Sequence, residues 1–298
     1  MPAPAIASQI FVDGGDAAES RRIRELLGRL DGQTTNPSLV AANPEIRRRL
    51  EAGRKLTRRE AFDFYRDLVR EIATATSGPI SIEVYADATT SAEQMLEQAR
   101  EMWTWIPNGV IKLPTTAAGL RAARVAVGEG MRLNLTLCFS QEQAAAVYAA
   151  TRGTRRTAFV SPFVGRLDDR GENGMELIES ILRMYRAGDG HVDVLTASVR
   201  HQDHLLRAVQ LGSPLITVPA KVLEAWAASG FPLPGPDFVH ASADLRPIPY
   251  REVPLDREPE GYDLHHPLTD AGLQKFAESW NALLADAPAG SRPAPQAR

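Results

Sequence analysis

The chain has 298 residues, 44% apolar and 24% charged, which suits one large barrel or two ordinary domains and excludes wholesale disorder. Its formal net charge of −3 argues against a general nucleic-acid or anionic-membrane binder, which would be basic. Cys138 is the single cysteine, so no intrachain disulfide can form and a reducing compartment is favoured.

In chain order, the opening stretch MPAPAIASQIFVDGG has neither the basic start nor the apolar run of a signal peptide. No stretch approaches the ~20 apolar residues of a membrane span, so the expected setting is the cytoplasm. Residues 9–13 (QIFVD) predict a first strand, and Ile23, Leu26, Leu27 and Leu30 stand at helical spacing within 16–30. A short segment enters Thr34-Thr35, Asn36-Pro37 breaks it, and Pro37 opens a predicted helix through about residue 50. A helix over 57–76 follows. Strand-like runs then recur at 81–86, 109–113, 133–137, 157–161, 192–197 and 214–218. Helical runs lie near 91–105, 116–129, 140–151, 173–187, 201–211 and 219–230.

Eight apolar strands, nearly each followed by a helix, predict parallel pairing with both faces covered. In one chain of this length they favour a closed (β/α)8 barrel of the TIM type over an open sheet. No G-x-G-x-x-G follows the first strand, which weakens a dinucleotide reading. Residues 232–267 hold eight prolines and predict an extended excursion over the surface, or a linker. Thr269 is the expected N-cap of a closing helix within 268–285, with Leu273, Phe276, Trp280 and Leu284 on one face. The expectation is a single α/β domain over 1–285, with 286–298 a disordered tail.

Only four residues are lysines: Lys55, Lys112, Lys221 and Lys275. Lys112 sits inside GVIKLP, where a barrel strand would carry it inward. Burial disfavours the charged form of an amine, and a neutral amine in a dry pocket is what imine formation with a ketone requires. A lysine snorkelling at the strand mouth, or pairing with a carboxylate, is the alternative. The other three lysines fall on amphipathic helices and are expected to be solvated. Asp13 closes the first strand and Glu83 lies within ISIEVY. Near Lys112 the two could move protons, one from a substrate hydroxyl and one through a water; otherwise they compensate its charge. Asp193 is a third strand carboxylate, near the strand start, the face that serves stability.

The segments TTNPS, NLT, SPFVGR and TASVR fall at predicted strand C-terminal ends, where barrel active sites assemble. They offer hydroxyls, amides and the guanidinium groups of Arg166 and Arg200, which can fork onto phosphate oxygens with Ser198 assisting. His201 and His204 share one helix at i, i+3, and His265-His266 lie in the proline-rich stretch. No third ligand has sensible spacing, so neither a metal nor a cofactor is expected. Cys138 is expected in the core, and Trp103, Trp105 and Phe139 are expected to serve packing rather than chemistry.

At these residues the sequence resembles the transaldolase family of class I, Schiff-base enzymes. FVDGGD, TTNPSL, IEVYAD, GVIKLPTT, LNLTLCFS, SPFVGRLDD and TASVR occur in that family's order and spacing from about Phe11 onward, and LTDAGLQKFAESW resembles its closing helix. The resemblance implies a (β/α)8 barrel with Lys112 as the imine-forming lysine on the fourth strand. It implies Asp13 as the acid/base for carbon–carbon cleavage, and Glu83 and Thr136 as holders of the water used in making and hydrolysing the imine. Asn36, Asn134 and Ser161 would bind a dihydroxyacetone portion. Ser198, Arg166 and Arg200 would bind phosphate, and Phe163 would shape the pocket.

The implied reaction moves a dihydroxyacetone unit from sedoheptulose 7-phosphate or fructose 6-phosphate to glyceraldehyde 3-phosphate or erythrose 4-phosphate, in the non-oxidative pentose phosphate pathway. The implied partners are sugar phosphates, with a homodimer as a possible assembly. Fructose-6-phosphate aldolases are similar and share the lysine, but typically have glutamine in place of Glu83 and tyrosine in place of Phe163. A non-catalytic, partner-binding barrel would require damage at Asp13, Glu83, Lys112 or Thr136, and none is present. Gly14, Val199 and His201 depart from the usual family residues, and 232–267 has no counterpart that aligns.

Overall fold

A computed structural model describes residues 3–155 and 157–285; the expected tail at 286–298 lies outside the described residues. Eight parallel strands form a closed barrel in sequential order. They are β1 (Gln9–Asp13), β2 (Gly32–Thr34), β3 (Ile80–Glu83), β4 (Gly109–Pro114), β5 (Leu133–Cys138), β6 (Ala158–Pro162), β7 (Val192–Thr196) and β8 (Leu215–Val218). Pairing of β1 with β8, Gln9 opposite Leu215 through Val12 opposite Val218, closes the ring. β3, β4, β5, β6 and β8 are buried along their whole length, as parallel strands covered on both sides must be.

The helices are α1 (Ala17–Leu27), α2 (Pro37–Ala41), α3 (Pro44–Glu51), α4 (Arg58–Ile72), α5 (Ala92–Trp103), α6 (Ala117–Gly128), α7 (Gln141–Ala150), α8 (Val164–Asp168), α9 (Gly174–Tyr185), α10 (Gln202–Gln210), α11 (Ala220–Ala228) and α12 (Pro267–Asn281). Most start on a side-chain cap. Thr57 and Ser91 form capping boxes with Glu60 and Gln94. Among the described residues, no helix is long and apolar enough to cross a membrane.

Several boundaries depart from expectation. The single helix anticipated over 37–50 is two, because Pro44 lacks an N–H and Asn43 caps a fresh helix by accepting from Glu45 N–H at 2.9 Å. The strand anticipated over 81–86 ends at Glu83. SPFVGR lies at the C-terminal end of β6, as expected, and runs into the short helix α8. The closing helix begins at Pro267 with His266 as its N-cap. Thr269, the expected cap, is buried; its hydroxyl donates to Leu137 C=O at 3.0 Å and accepts from Gln143 Nε2 at 2.8 Å. Trp105 and Phe139 are buried, but Trp103 is 38% exposed.

Between α11 and α12 the proline-rich stretch runs as an ordered strap. It has almost no regular structure beyond a 3-10 turn at Pro259–Gly261, because its prolines remove donors. Side chains of the barrel helices satisfy its backbone. Gln141 pairs both ways with Arg251, Glu176 accepts from Ile248 N–H, and the indole of Trp226 donates to Pro232 C=O. Arg246 exchanges backbone hydrogen bonds with Gly171 and Asn173. Its own Val253, Tyr262 and His240 are buried. The strap is therefore part of the barrel's outer layer, not a linker.

Candidate active site

Strand register brings the predicted residues together. Asp13 pairs with Thr34, Thr34 with Ser81, Glu83 with Lys112, Lys112 with Asn134, and Asn134 with Phe159. Paired residues of parallel neighbours point to the same face, as do residues two apart along a strand. Asp13, Thr34, Ser81, Glu83, Lys112, Asn134, Thr136 and Ser161 thus share one side of the sheet, toward the C-terminal ends of the strands.

Lys112 is 3% exposed. Its Nζ lies 2.9 Å from Glu83 Oε2 and donates to Thr35 C=O at 3.1 Å. Glu83 is itself 4% exposed. Burial raises its pKa above the usual carboxylate range, and the Lys112 ammonium opposes that shift. Burial likewise raises the pKa of Asp13, opposed by Lys112, by the Thr34 hydroxyl donating to Asp13 Oδ1 at 2.7 Å, and by Arg166 and Arg200. Tyr65 supports this floor from α4: its hydroxyl accepts from Glu83 N–H at 2.9 Å and pairs with the Thr35 hydroxyl. The Thr136 hydroxyl is buried without a hydrogen-bond partner.

A cavity of about 170 Å³ opens above the lysine. Asp13, Lys112, Asn36, Ser161, Phe163, Arg166, Ser198 and Arg200 all line it. Asn134 lies beneath, fully buried, donating to Ser81 Oγ at 3.0 Å and accepting from Ser161 Oγ at 2.7 Å. Glu83 and Thr136 flank the lysine without lining this cavity. Glu83 also reaches a second cavity of about 540 Å³ toward Tyr85 and Trp280. Asn36 Oδ1 is committed to capping α2 through Leu39 N–H at 2.9 Å, which leaves its amide NH₂ for the cavity.

The cavity mouth is cationic. Arg166 projects from α8, its guanidinium carbon 5.0 Å from the Phe163 ring centre and 5.1 Å from that of Phe276. Burial lowers its pKa, which Glu83 opposes. Arg200 is held at its Nη2 by Asp169 at 2.9 Å. Ser198 sits at φ 60°, a strained conformation for a non-glycine residue, where β7 turns toward α10. Gly165 makes this turn's close approach possible: a Cβ there would fall 2.4 Å from Ser198 C=O and from Arg200 Cγ. Gly272 does the same from α12, where a Cβ would meet Arg166 Nη1 and Leu137 Cδ2 at 2.5 Å.

Some lining residues escaped the sequence reading. Lys275 is exposed, as expected, and also reaches the cavity mouth from α12 beside Phe276. Nothing local marks it, because only the packing of α12 across the barrel end puts it there. Thr217 also lines the cavity, its hydroxyl 2.5 Å from that of Thr34, which lies in the TTNPS segment the sequence had marked. A hydroxyl near a strand's C-terminal end is the signal that could have found Thr217. Asp193 stands apart, half-buried, its pKa raised by burial and opposed by Arg132. Cys138 is fully buried, and burial pushes its thiol up to about 12, which fits the core role expected of it. Lys55 and Lys221 are exposed.

Comparison with known proteins identifies the family. The family model described as Transaldolase/Fructose-6-phosphate aldolase matches residues 10–287. A probable transaldolase of Anaeromyxobacter sp. (strain Fw109-5) is 39% identical over 92% of this chain and 98% of its own length. Probable transaldolases of Rhodospirillum centenum (strain ATCC 51521 / SW) and Thermoanaerobacter sp. (strain X514) are 37% and 36% identical, each over 91% of this chain and over 90% and 96% of their own lengths. With the family model matched along the whole barrel and these relatives covered nearly end to end, the chain belongs to the transaldolase/fructose-6-phosphate aldolase family.

Proposed function

We propose that this enzyme is a transaldolase that moves a dihydroxyacetone unit between sugar phosphates through an imine on Lys112. The observation that carries the reading is a buried amine 2.9 Å from one buried carboxylate, beside a cavity that a second, half-buried carboxylate, Asp13, lines beneath Arg166, Arg200 and Lys275.

In this reading Lys112 Nζ adds to the ketose C2 carbonyl, and water leaves to form the protonated imine. Glu83 and Thr136 handle that water, one as carboxylate and the other through its uncommitted hydroxyl. Asp13 takes the proton from the C4 hydroxyl. The C3–C4 bond breaks, its electron pair passes into the imine, and an aldose phosphate leaves. The three-carbon enamine stays bound until an acceptor aldehyde arrives and the steps reverse. Burial helps Asp13 here, since raising a carboxyl's pKa strengthens the corresponding base. Asn36 and Ser161 bind the retained hydroxyls, with Asn134 holding Ser161. Ser198, Arg166 and Arg200 bind the phosphate, with Lys275 adding charge at the rim.

Glu83 and Phe163 favour transfer over simple release of dihydroxyacetone, because the related lyases typically have glutamine and tyrosine there. Two measurements test this. Borohydride reduction with fructose 6-phosphate should leave a three-carbon adduct on the peptide containing Lys112; its absence sinks the imine. Fructose 6-phosphate turnover should depend on added glyceraldehyde 3-phosphate, whereas acceptor-independent release of dihydroxyacetone would assign the lyase reaction instead. The phosphate assignment has its own check. Gly165→Ala should push the 198–200 turn outward and raise KM for fructose 6-phosphate about tenfold, a loss of ~1.4 kcal/mol in binding, with a smaller change in kcat.

A further inference from the structure

We infer that Asp168, His204 and His240 form a binding site for a single divalent transition-metal ion, of the zinc class, that ties the proline-rich strap to the phosphate end of the cavity. Asp168 ends α8, the helix of Arg166. His204 lies in the first turn of α10, just after Arg200. His240 comes from the strap, 36 residues beyond His204, so no local spacing announces it, and the sequence expectation of no third ligand and no metal is revised here. Each of the three offers one ligand atom, and these atoms lie within 4.8 Å of one another. His204 is fully buried and His240 is 8% exposed.

The independent pointer is His240 Nε2, a buried nitrogen with no hydrogen-bond partner. Its other nitrogen, Nδ1, is engaged by the carboxylate of Asp203, which also accepts from Ala241 N–H at 3.2 Å. A carboxylate at Nδ1 holds the proton there and leaves Nε2 as a bare lone pair. That is the outer-shell arrangement that prepares an imidazole to bind a metal. Asp168 is oriented similarly: its Oδ1 accepts from Gly174 N–H at 2.9 Å, while its Oδ2 faces His204 Nε2 at 2.6 Å. Two imidazole nitrogens and one carboxylate oxygen suit zinc, cobalt or nickel better than magnesium or calcium. The exposed His201 ring lies tilted against that of His204, ring centres 3.8 Å apart, on the side from which a water could complete the coordination.

Charge and protons balance. Without metal, His204 carries its proton on Nε2, donated to Asp168, and Nδ1 accepts from Arg200 N–H at 3.3 Å. On binding, that proton moves to Nδ1, both imidazoles stay neutral, and no net proton is released. Tetrahedral ligand atoms around zinc stand about 3.4 Å apart, so His240 moves inward while Asp168 and His204 separate. The weak bond from Arg200 N–H is given up, which couples the metal to the turn bearing Ser198 and Arg200. The ion's role is structural, and the proposed chemistry takes place at Lys112.

The test uses the full chain, stripped with a chelator and titrated with cobalt(II) or zinc(II). The wild type should take up one equivalent, develop the visible absorption of tetrahedral cobalt, and melt at a higher temperature with metal than without. His240→Ala should weaken cobalt binding at least 100-fold and abolish the visible band, while metal-free turnover stays at the wild-type level. Asp203→Asn should weaken binding roughly 10- to 100-fold. His240→Gln, with circular dichroism on each variant, guards against simple misfolding. Stoichiometric binding that survives in folded His240→Ala, or no uptake by the wild type at millimolar cobalt, overturns the site.

Discussion

Replacing Lys112 by methionine is expected to reduce turnover by at least about 10⁴-fold, because the covalent route disappears and the other site groups act only through it. Trapping with borohydride and fructose 6-phosphate should yield no adduct. The variant also leaves Glu83 without its cation. Removing one partner of a buried ion pair costs about 3–5 kcal/mol when the other stays charged. Glu83 escapes part of this by taking up a proton, since burial already raises its pKa. A carboxyl whose pKa is higher folded than unfolded favours folding at acid pH, and that contribution is lost as the pH rises through the folded-state value. The melting temperature of Lys112→Met should therefore fall below the wild type's more at pH 8 than at pH 5. Adding Glu83→Gln should recover most of the difference. A single variant that melts like the wild type at both pH values would contradict the buried pairing.

Asp13→Asn should separate the two halves of the reaction. Loss of a positioned general base costs about 10² to 10⁴ in rate, so transfer should fall by that range. Imine formation does not need Asp13 in this scheme, so the borohydride adduct at Lys112 should still form and should trap the uncleaved ketose. Loss of the adduct would move Asp13 to an earlier step. Stability should move the other way. Burial is the largest influence on Asp13 and outweighs the cations around it, so its ionisation opposes folding above the unfolded-state value near 3.8. Asp13→Asn should thus melt above the wild type at pH 8, with the gap closing toward pH 4. Activity given up for stability at one residue is a usual mark of a functional site.

The two effects have one source. Three charged groups, Asp13, Glu83 and Lys112, are held in the covered end of a barrel where water would otherwise solvate them. Helix α12 closes that end: Phe276 and Lys275 reach the cavity, Trp280 packs on Tyr65 with ring centres 6.0 Å apart, and just past the helix end Leu283 C=O accepts from Leu56 N–H at 2.8 Å. Tyr65 in turn holds the backbone of Glu83. The closing helix thereby bears on the proposed proton chemistry through one aromatic residue.

The chain by itself determined the barrel. Alternating apolar strands and amphipathic helices require parallel pairing, and eight of them close. It also determined the inward lysine and its carboxylates, because a charged residue inside an apolar strand must point toward a site or be paired. Local chemistry accounts for the break at Pro44 as well, although the apolar spacing of 37–50 concealed it. What only the tertiary structure decided depends on contacts between distant segments. Lys275 at the mouth and the meeting of Asp168, His204 and His240 follow no local period. Each arises because α12 and the strap fold back over strand ends that the β/α rhythm had already built, and hydrogen bonds and packing across long sequence separations leave no local pattern to read.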